Sequence, residues 1–138
     1  MNLLSFFQRW RKPAKTRILA VDDDPNVREL VRGLLESEGY AVDTAVDGLE
    51  GLALVKKNSY DLLVLDGRLP KMSGTELLEM IRSTPEGQTQ AVIMLSAEDM
   101  LGPIYKAYEM GIIEWVSKPF SPEKFLAKVH AHLDAVKK

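Results

Sequence analysis

Three acids in a row (Asp22, Asp23 and Asp24), a fourth at Asp66, a hydroxyl at Ser96 and an amine at Lys118 are the side chains that could work together. Each group stands at or just past the end of a short apolar run. A single acid ending a strand is more often a turn or cap residue. Polar groups ending four strands at one edge are harder to ascribe to chance. Two unit charges 4 Å apart at an effective dielectric near 20 repel by about 4 kcal/mol, so gathered carboxylates need a positive offset. A hard divalent cation such as Mg²⁺ is one candidate, since it takes carboxylates, waters and phosphate oxygens. Lys118 is the other. With both in place Asp66 stays ionised and nucleophilic, and Ser96 can donate to a phosphoryl oxygen. The chemistry these residues suit is phosphoryl transfer onto an aspartate.

The elements that must position them are legible in the pattern. Leu62-Leu63-Val64-Leu65 is wholly apolar, the habit of a strand buried on both faces of a parallel sheet. Gly67 and Pro70 break the run, which leaves Asp66 at the carboxyl end of that strand, the edge where open α/β sheets bind ligands. A first strand over 17–22 runs into the acid cluster. Asp24 then caps a helix opened by Pro25, with Val27, Leu30, Val31, Leu34 and Leu35 inward and Gly39 just past its end. A second strand over 40–46 and a second helix over 48–57, using Leu49, Leu52 and Ala53, come next. Ser73-Gly74-Thr75-Glu76 has capping-box spacing and opens a third helix carrying Leu77, Met80 and Ile81. A strand over 91–95 ends at Ser96. Pro103 delays a fourth helix, over 103–110, closing at Gly111. A fifth strand over 112–116 leads to a last helix capped by Ser121-Pro122, with Phe125, Val129 and Leu133 facing the core. Five alternations predict a parallel sheet covered on both faces and joined by right-handed crossovers.

The 138 residues suffice for one ordinary domain. No apolar run approaches the roughly 20 residues that span a bilayer. The chain has no cysteine, so disulfides and thiolate metal sites are excluded and the expected location is cytoplasmic. Five of the 18 basic residues (Arg9, Arg11, Lys12, Lys15 and Arg17) lie in the first 17, which hold no acid. That leaves 13 basic against 20 acidic in the remaining 121, a net of −7, which argues against direct nucleic-acid binding. Residues 1–16 form a separate basic leader. On a helical wheel Leu3, Leu4, Phe6, Phe7 and Trp10 share one arc. A signal peptide would place its charges before the apolar part, so the leader reads as a flexible segment or as a docking element, through residues 1–13, for a partner, the domain itself or a membrane surface.

Val21-Asp22-Asp23-Asp24-Pro25, Asp66-Gly67-Arg68-Leu69-Pro70-Lys71-Met72-Ser73-Gly74, Met94-Leu95-Ser96-Ala97 and Ser117-Lys118-Pro119-Phe120 resemble the motifs of response-regulator receiver domains. Each is weak alone; four in order, over about residues 16–137, are strong. The resemblance implies a flavodoxin-like (βα)5 fold, a doubly wound parallel sheet of strand order 2-1-3-4-5 over a domain of residues 17–138. It also implies a two-component phosphorelay, in which a sensor histidine kinase or a histidine phosphotransfer protein phosphorylates Asp66 and so switches protein–protein binding. Asp23 and Asp66 would bind Mg²⁺ with the backbone carbonyl of Arg68, and Asp22 would act through water. Ser96 and Lys118 would hold the phosphoryl group, Ser96 and Trp115 would form the switch, and the Lys118-Pro119 bond would be cis. The resemblance also implies that Arg68 and Glu98, two beyond the acceptor and two beyond the serine, would flank the approach of hydrolytic water. The output partner is not specified; the expectation is a stand-alone receiver, with a piece of a larger regulator as the alternative, and not an enzyme apart from loss of its own phosphoryl group.

Three positions depart from the family's habit. Trp115 replaces a tyrosine or phenylalanine that turns inward, and its larger ring is expected to hinder that rotamer. Gly67 replaces an apolar residue and is expected to loosen the loop, and Gly102-Pro103 is expected to make the approach to the fourth helix irregular. Two other readings compete. A phosphohydrolase of the haloacid-dehalogenase kind also uses strand-end aspartates, a hydroxyl and a lysine, but places its nucleophile after the first strand. A receiver fold that only binds, without taking phosphate, conflicts with the presence of every polar group. The histidines, His130 and His132, sit on the last helix away from the acids.

Overall fold

The computed structural model describes residues 15–97 and 101–137. The leader through residue 14 and Glu98 lie outside the described residues. Five strands form one sheet: β1 (Arg17–Val21), β2 (Ala41–Ala45), β3 (Leu62–Leu65), β4 (Val92–Ser96) and β5 (Glu114–Ser117). Their order is β2-β1-β3-β4-β5 and every neighbouring pair is parallel, the predicted flavodoxin-like winding. The helices between and after them are α1 (Pro25–Ser37), α2 (Gly48–Lys57), α3 (Gly74–Arg82), α4 (Leu101–Glu109) and α5 (Pro122–Lys137), with a 3₁₀ turn at Glu86–Thr89.

Alternate residues of the central strands feed two cores. Ile18, Ala20, Leu62, Val64, Ile93 and Leu95 point to one side and bury Val31 and Leu35 of α1 with Phe125, Val129 and Leu133 of α5. Leu19, Val21, Leu63, Leu65 and Met94 point to the other, against Leu77, Leu78 and Ile81 of α3 and Ala107 of α4. Both faces of β3 are therefore dry, which is why its sequence is apolar without alternation. Local caps fix where the helices start. Asp24 accepts from Asn26 N–H at 2.9 Å, Asp47 from Glu50 N–H at 2.8 Å and Ser73 from Glu76 N–H at 3.1 Å. Gly39 follows α1 at φ 91°, a conformation that disfavours a Cβ.

The structure corrects several expectations. Leu49 and Ala53 do not face the core; Leu49 is half exposed, and α2 instead buries Gly48 and Gly51. A Cβ on Gly51 would stand 3.1 Å from Val21 Cγ2, so the helix approaches the sheet closely there, while Leu52 packs on the core as expected. Leu30 and Met80 are likewise exposed. The fourth helix begins at Leu101, two residues before Pro103. Proline is tolerated there because N–H groups of the first turn have no intrahelical acceptor to lose. The fifth strand starts at Glu114 rather than 112.

Candidate functional site

The carboxyl ends of β1, β3, β4 and β5 converge as the sequence predicts. Asp22 and Asp66 are buried at 5% exposure, Ser96 is fully buried and Asp23 is exposed. One oxygen from each of Asp22, Asp23 and Asp66 falls within 4.8 Å of the others. Lys118 reaches across the sheet edge and donates to Asp22 Oδ2 at 2.8 Å and to Asp66 Oδ2 at 3.1 Å. Its backbone N–H donates to the Ser96 carbonyl at 3.0 Å, which ties the start of its loop to β4. The Lys118-Pro119 peptide bond is cis.

The electrostatics follow from burial and this single amine. Burial pushes the Asp22 carboxyl above its ordinary value, and the nearby Asp66 charge pushes the same way; the bonds from Lys118 and from Asp24 N–H oppose them. For Lys118 burial favours the neutral amine, but its bond to Asp22 and the charges of Asp66 and Asp22 prevail, so its pKa is raised. The lysine is held charged where its charge is needed.

Backbone donors set the carboxylates. Asp24 N–H donates to Asp22 Oδ1 at 2.9 Å, and Arg68 N–H donates to Asp66 Oδ1 at 3.1 Å. Gly67 does not leave its loop untethered, for its carbonyl accepts Gly74 N–H at 3.2 Å. Gly74 lies so close to the Asp66 carbonyl that no Cβ would fit between them. Trp115 is 8% exposed within the α3–α4 core, so its ring lies inside despite its size. It pairs in register with Met94, two residues before Ser96 on the neighbouring strand. The cluster that encloses the ring also holds Leu65, Met94 and Ala107.

Arg28 is a residue the sequence reading does not single out. Its Nη1 donates to the Asp22 carbonyl at 2.9 Å, and its only sequence signal is a place on the first turns of the helix leaving the acids. Glu98 cannot be located relative to Arg68, since it lies outside the described residues. His130 bonds Tyr40, with Nδ1 2.8 Å from the hydroxyl oxygen, and takes no part in the acid cluster. A cleft of about 690 Å³ lined by Tyr60, Met80 and Gln90 holds none of the clustered acids.

A buried strand-end carboxylate, two neighbouring acids and a bridging lysine on a doubly wound parallel sheet make an arrangement suited to phosphoryl transfer onto an aspartate. The family model of the response regulator receiver domain matches residues 18–130, and the chain belongs to that family. Receiver domains serve two-component signalling by taking a phosphoryl group on an aspartate. The response regulator MprA of Mycobacterium leprae is 39% identical over 121 residues, which are 88% of this chain and 52% of the relative. The chain thus spans about half the length of the curated relatives it matches. A CheY-like receiver domain protein from Methanospirillum hungatei superimposes with a TM-score of 0.82 at 34% identity, covering 88% of this chain and 96% of the other. The receiver domain of the sensor histidine kinase PA1611 from Pseudomonas aeruginosa, which has a magnesium ion coordinated in its active-site cleft, superimposes with a TM-score of 0.77 at 26% identity. That match covers 86% of this chain and 97% of the other. Among the described residues no helix is long and apolar enough to cross a membrane.

Proposed function

We propose that Asp66 is the phosphoacceptor, that a phosphohistidine of a sensor kinase or phosphotransfer protein is the donor, and that the product changes which protein the domain binds. The observation that carries this is the Asp66 carboxylate, buried at a strand end yet held beside both Asp22 and the Lys118 ammonium. A carboxylate oxygen attacks phosphorus, the new O–P bond forms as the P–N bond breaks, and the freed imidazole nitrogen keeps the bonding pair. Lys118 and the Ser96 hydroxyl steady the transferring phosphoryl oxygens. Ser96 and Trp115 transmit the change to the α4 side of the domain.

The gathered oxygens of Asp22, Asp23 and Asp66 are an all-oxygen set of the kind that suits Mg²⁺. Asp23, Asp66 and the backbone carbonyl of Arg68 would hold the ion, with Asp22 acting through water, and the bound ion would offset charge on the phosphoryl oxygens. Incubation with acetyl phosphate and Mg²⁺ should add one phosphoryl group by intact-mass analysis. Asp66→Asn should abolish the addition, and Asp23→Ala or excess chelator should suppress it while the fold persists. Labelling of Asp66→Asn at the wild-type level would place the nucleophile elsewhere.

A further inference from the structure

The loop that follows Asp66 contains a strained residue, and the strain is held from outside the site. Among the described residues Lys71 alone, glycine aside, has a positive φ, at 68°. Met72 N–H donates to the Pro70 carbonyl at 2.7 Å, so Lys71 is the middle residue of a tight three-residue turn of the rare positive-φ kind. Such strain persists only where the surroundings over-determine it. Here the surroundings are the first residues of α2. Asp47, its side chain about 10% exposed, takes Glu50 N–H on Oδ1 and stands 3.4 Å from Lys71 Nζ through Oδ2. The backbone bond to Glu50, together with the Lys71 charge, holds the Asp47 carboxyl below its ordinary value against some cost of burial. Gly48 faces the Met72 carbonyl so closely that a Cβ would collide with it. At its other end the loop is pinned by the Gly74 bond to Gly67 and by the Arg68 bond to Asp66.

We infer that Asp47 and Gly48, at the start of α2, are positioning residues that brace the 66–73 loop and so set how well the acid cluster takes a divalent cation. The inference rests on Asp66 and its neighbours being the acceptor and metal site. Because the loop carries both Asp66 and Arg68, a shift at Met72 propagates to two of the groups expected to meet the ion. α2 contributes no side chain to the acids; Asp47 and Gly48 meet the loop through Lys71 and Met72.

The test is Mg²⁺ titration by calorimetry on the full chain, beside melting temperature and acetyl-phosphate labelling rates across Mg²⁺ concentrations. Gly48→Ala, which displaces Met72, should weaken Mg²⁺ binding by about 10-fold or more, the range seen when groups supporting metal ligands are lost. Labelling should slow at low Mg²⁺ and recover at saturation, a split that a merely structural defect in a folded protein would not give. Lys71→Ala keeps the strain and drops the ion pair, and should weaken binding in the same direction. Lys71→Gly relieves the strain and should bind more tightly than Lys71→Ala. These two variants carry the test if Gly48→Ala does not fold. Mg²⁺ affinities within twofold of wild type for Lys71→Ala, Lys71→Gly and any folded Gly48→Ala overturn the brace. If Asp66→Asn also binds Mg²⁺ and labels like wild type, the reading of the site falls and the brace with it; if Asp66→Asn loses both, only the brace falls.

Discussion

Lys118 Nζ lies 3.1 Å from Asp66 Oδ2, joining the ends of β5 and β3 across the intervening β4. The same amine is 2.8 Å from Asp22, and all three side chains are largely buried, at 16%, 6% and 7% exposure. Removing one partner of a buried ion pair leaves uncompensated charge and typically costs about 3–5 kcal/mol. Lys118→Met is therefore expected to lower stability by an amount of that order, as measured by urea denaturation at neutral pH. Adding Asp66→Asn should restore part of the loss. The deficit should also shrink in acid as Asp22, already raised above its ordinary 3.8 by burial, takes up a proton. An unchanged urea midpoint for Lys118→Met would show that the lysine is not the counter-charge.

A second cluster predicts an alkaline effect. Tyr60 donates its hydroxyl to Asp43 Oδ2 at 2.6 Å, and Arg17 sits over its ring at 5.3 Å from the centroid. Burial, then the bond to and charge of Asp43, push the phenol up to about 12 from 10.0. A raised value means that the stabilisation is complete below pH 10.0 and is lost as pH rises through about 12. Tyr60→Phe should flatten that part of the stability–pH curve. Equal slopes for the two proteins between pH 10 and 12 would count against the bond.

The lifetime of the phosphorylated form should depend on Arg68 and Glu98. Arg68 is exposed near Asp66, and the proposed gate joins it to Glu98, which lies outside the described residues. An exposed pair is worth under about 1 kcal/mol, so the effect belongs to kinetics rather than folding. Arg68→Ala with Glu98→Ala should speed loss of phosphate without moving the label from Asp66, and each single change should give part of the effect. Equal half-lives for wild type and the double variant would dismiss the gate.

The leader should be separable from the switch. We propose that its apolar arc, Leu3 to Trp10, and its basic residues serve as a docking element. Deleting residues 1–13 should leave labelling and melting temperature nearly unchanged while weakening attachment to a partner or to anionic vesicles in a flotation assay. A large fall in melting temperature would mean that the leader packs on the domain instead.

The sequence by itself determined the order of strands and helices, and which side chains end which strand. Those signals are local: Leu62 to Leu65 are apolar because both faces of β3 are covered, and Asp24 and Ser73 cap the helices that follow them. The four motifs then supplied strand order and site together. Tertiary structure decided what depends on residues far apart in the chain. Periodicity favours Leu49, Leu52 and Ala53 as the core face of α2; Leu52 does pack on the core, but Leu49 and Ala53 are exposed, and Gly48 and Gly51 meet Met72 and Val21 where a Cβ would crowd them. No local signal brings Lys118 to Asp22 and Asp66, 96 and 52 residues away, or Lys71 to Asp47. Nor does any local signal put the Trp115 ring inside, because its cluster is assembled from other strands and helices. Helix caps and strand runs are settled by neighbours a few residues away; which face turns inward, and which charges meet, is settled by the shape of whatever lies opposite.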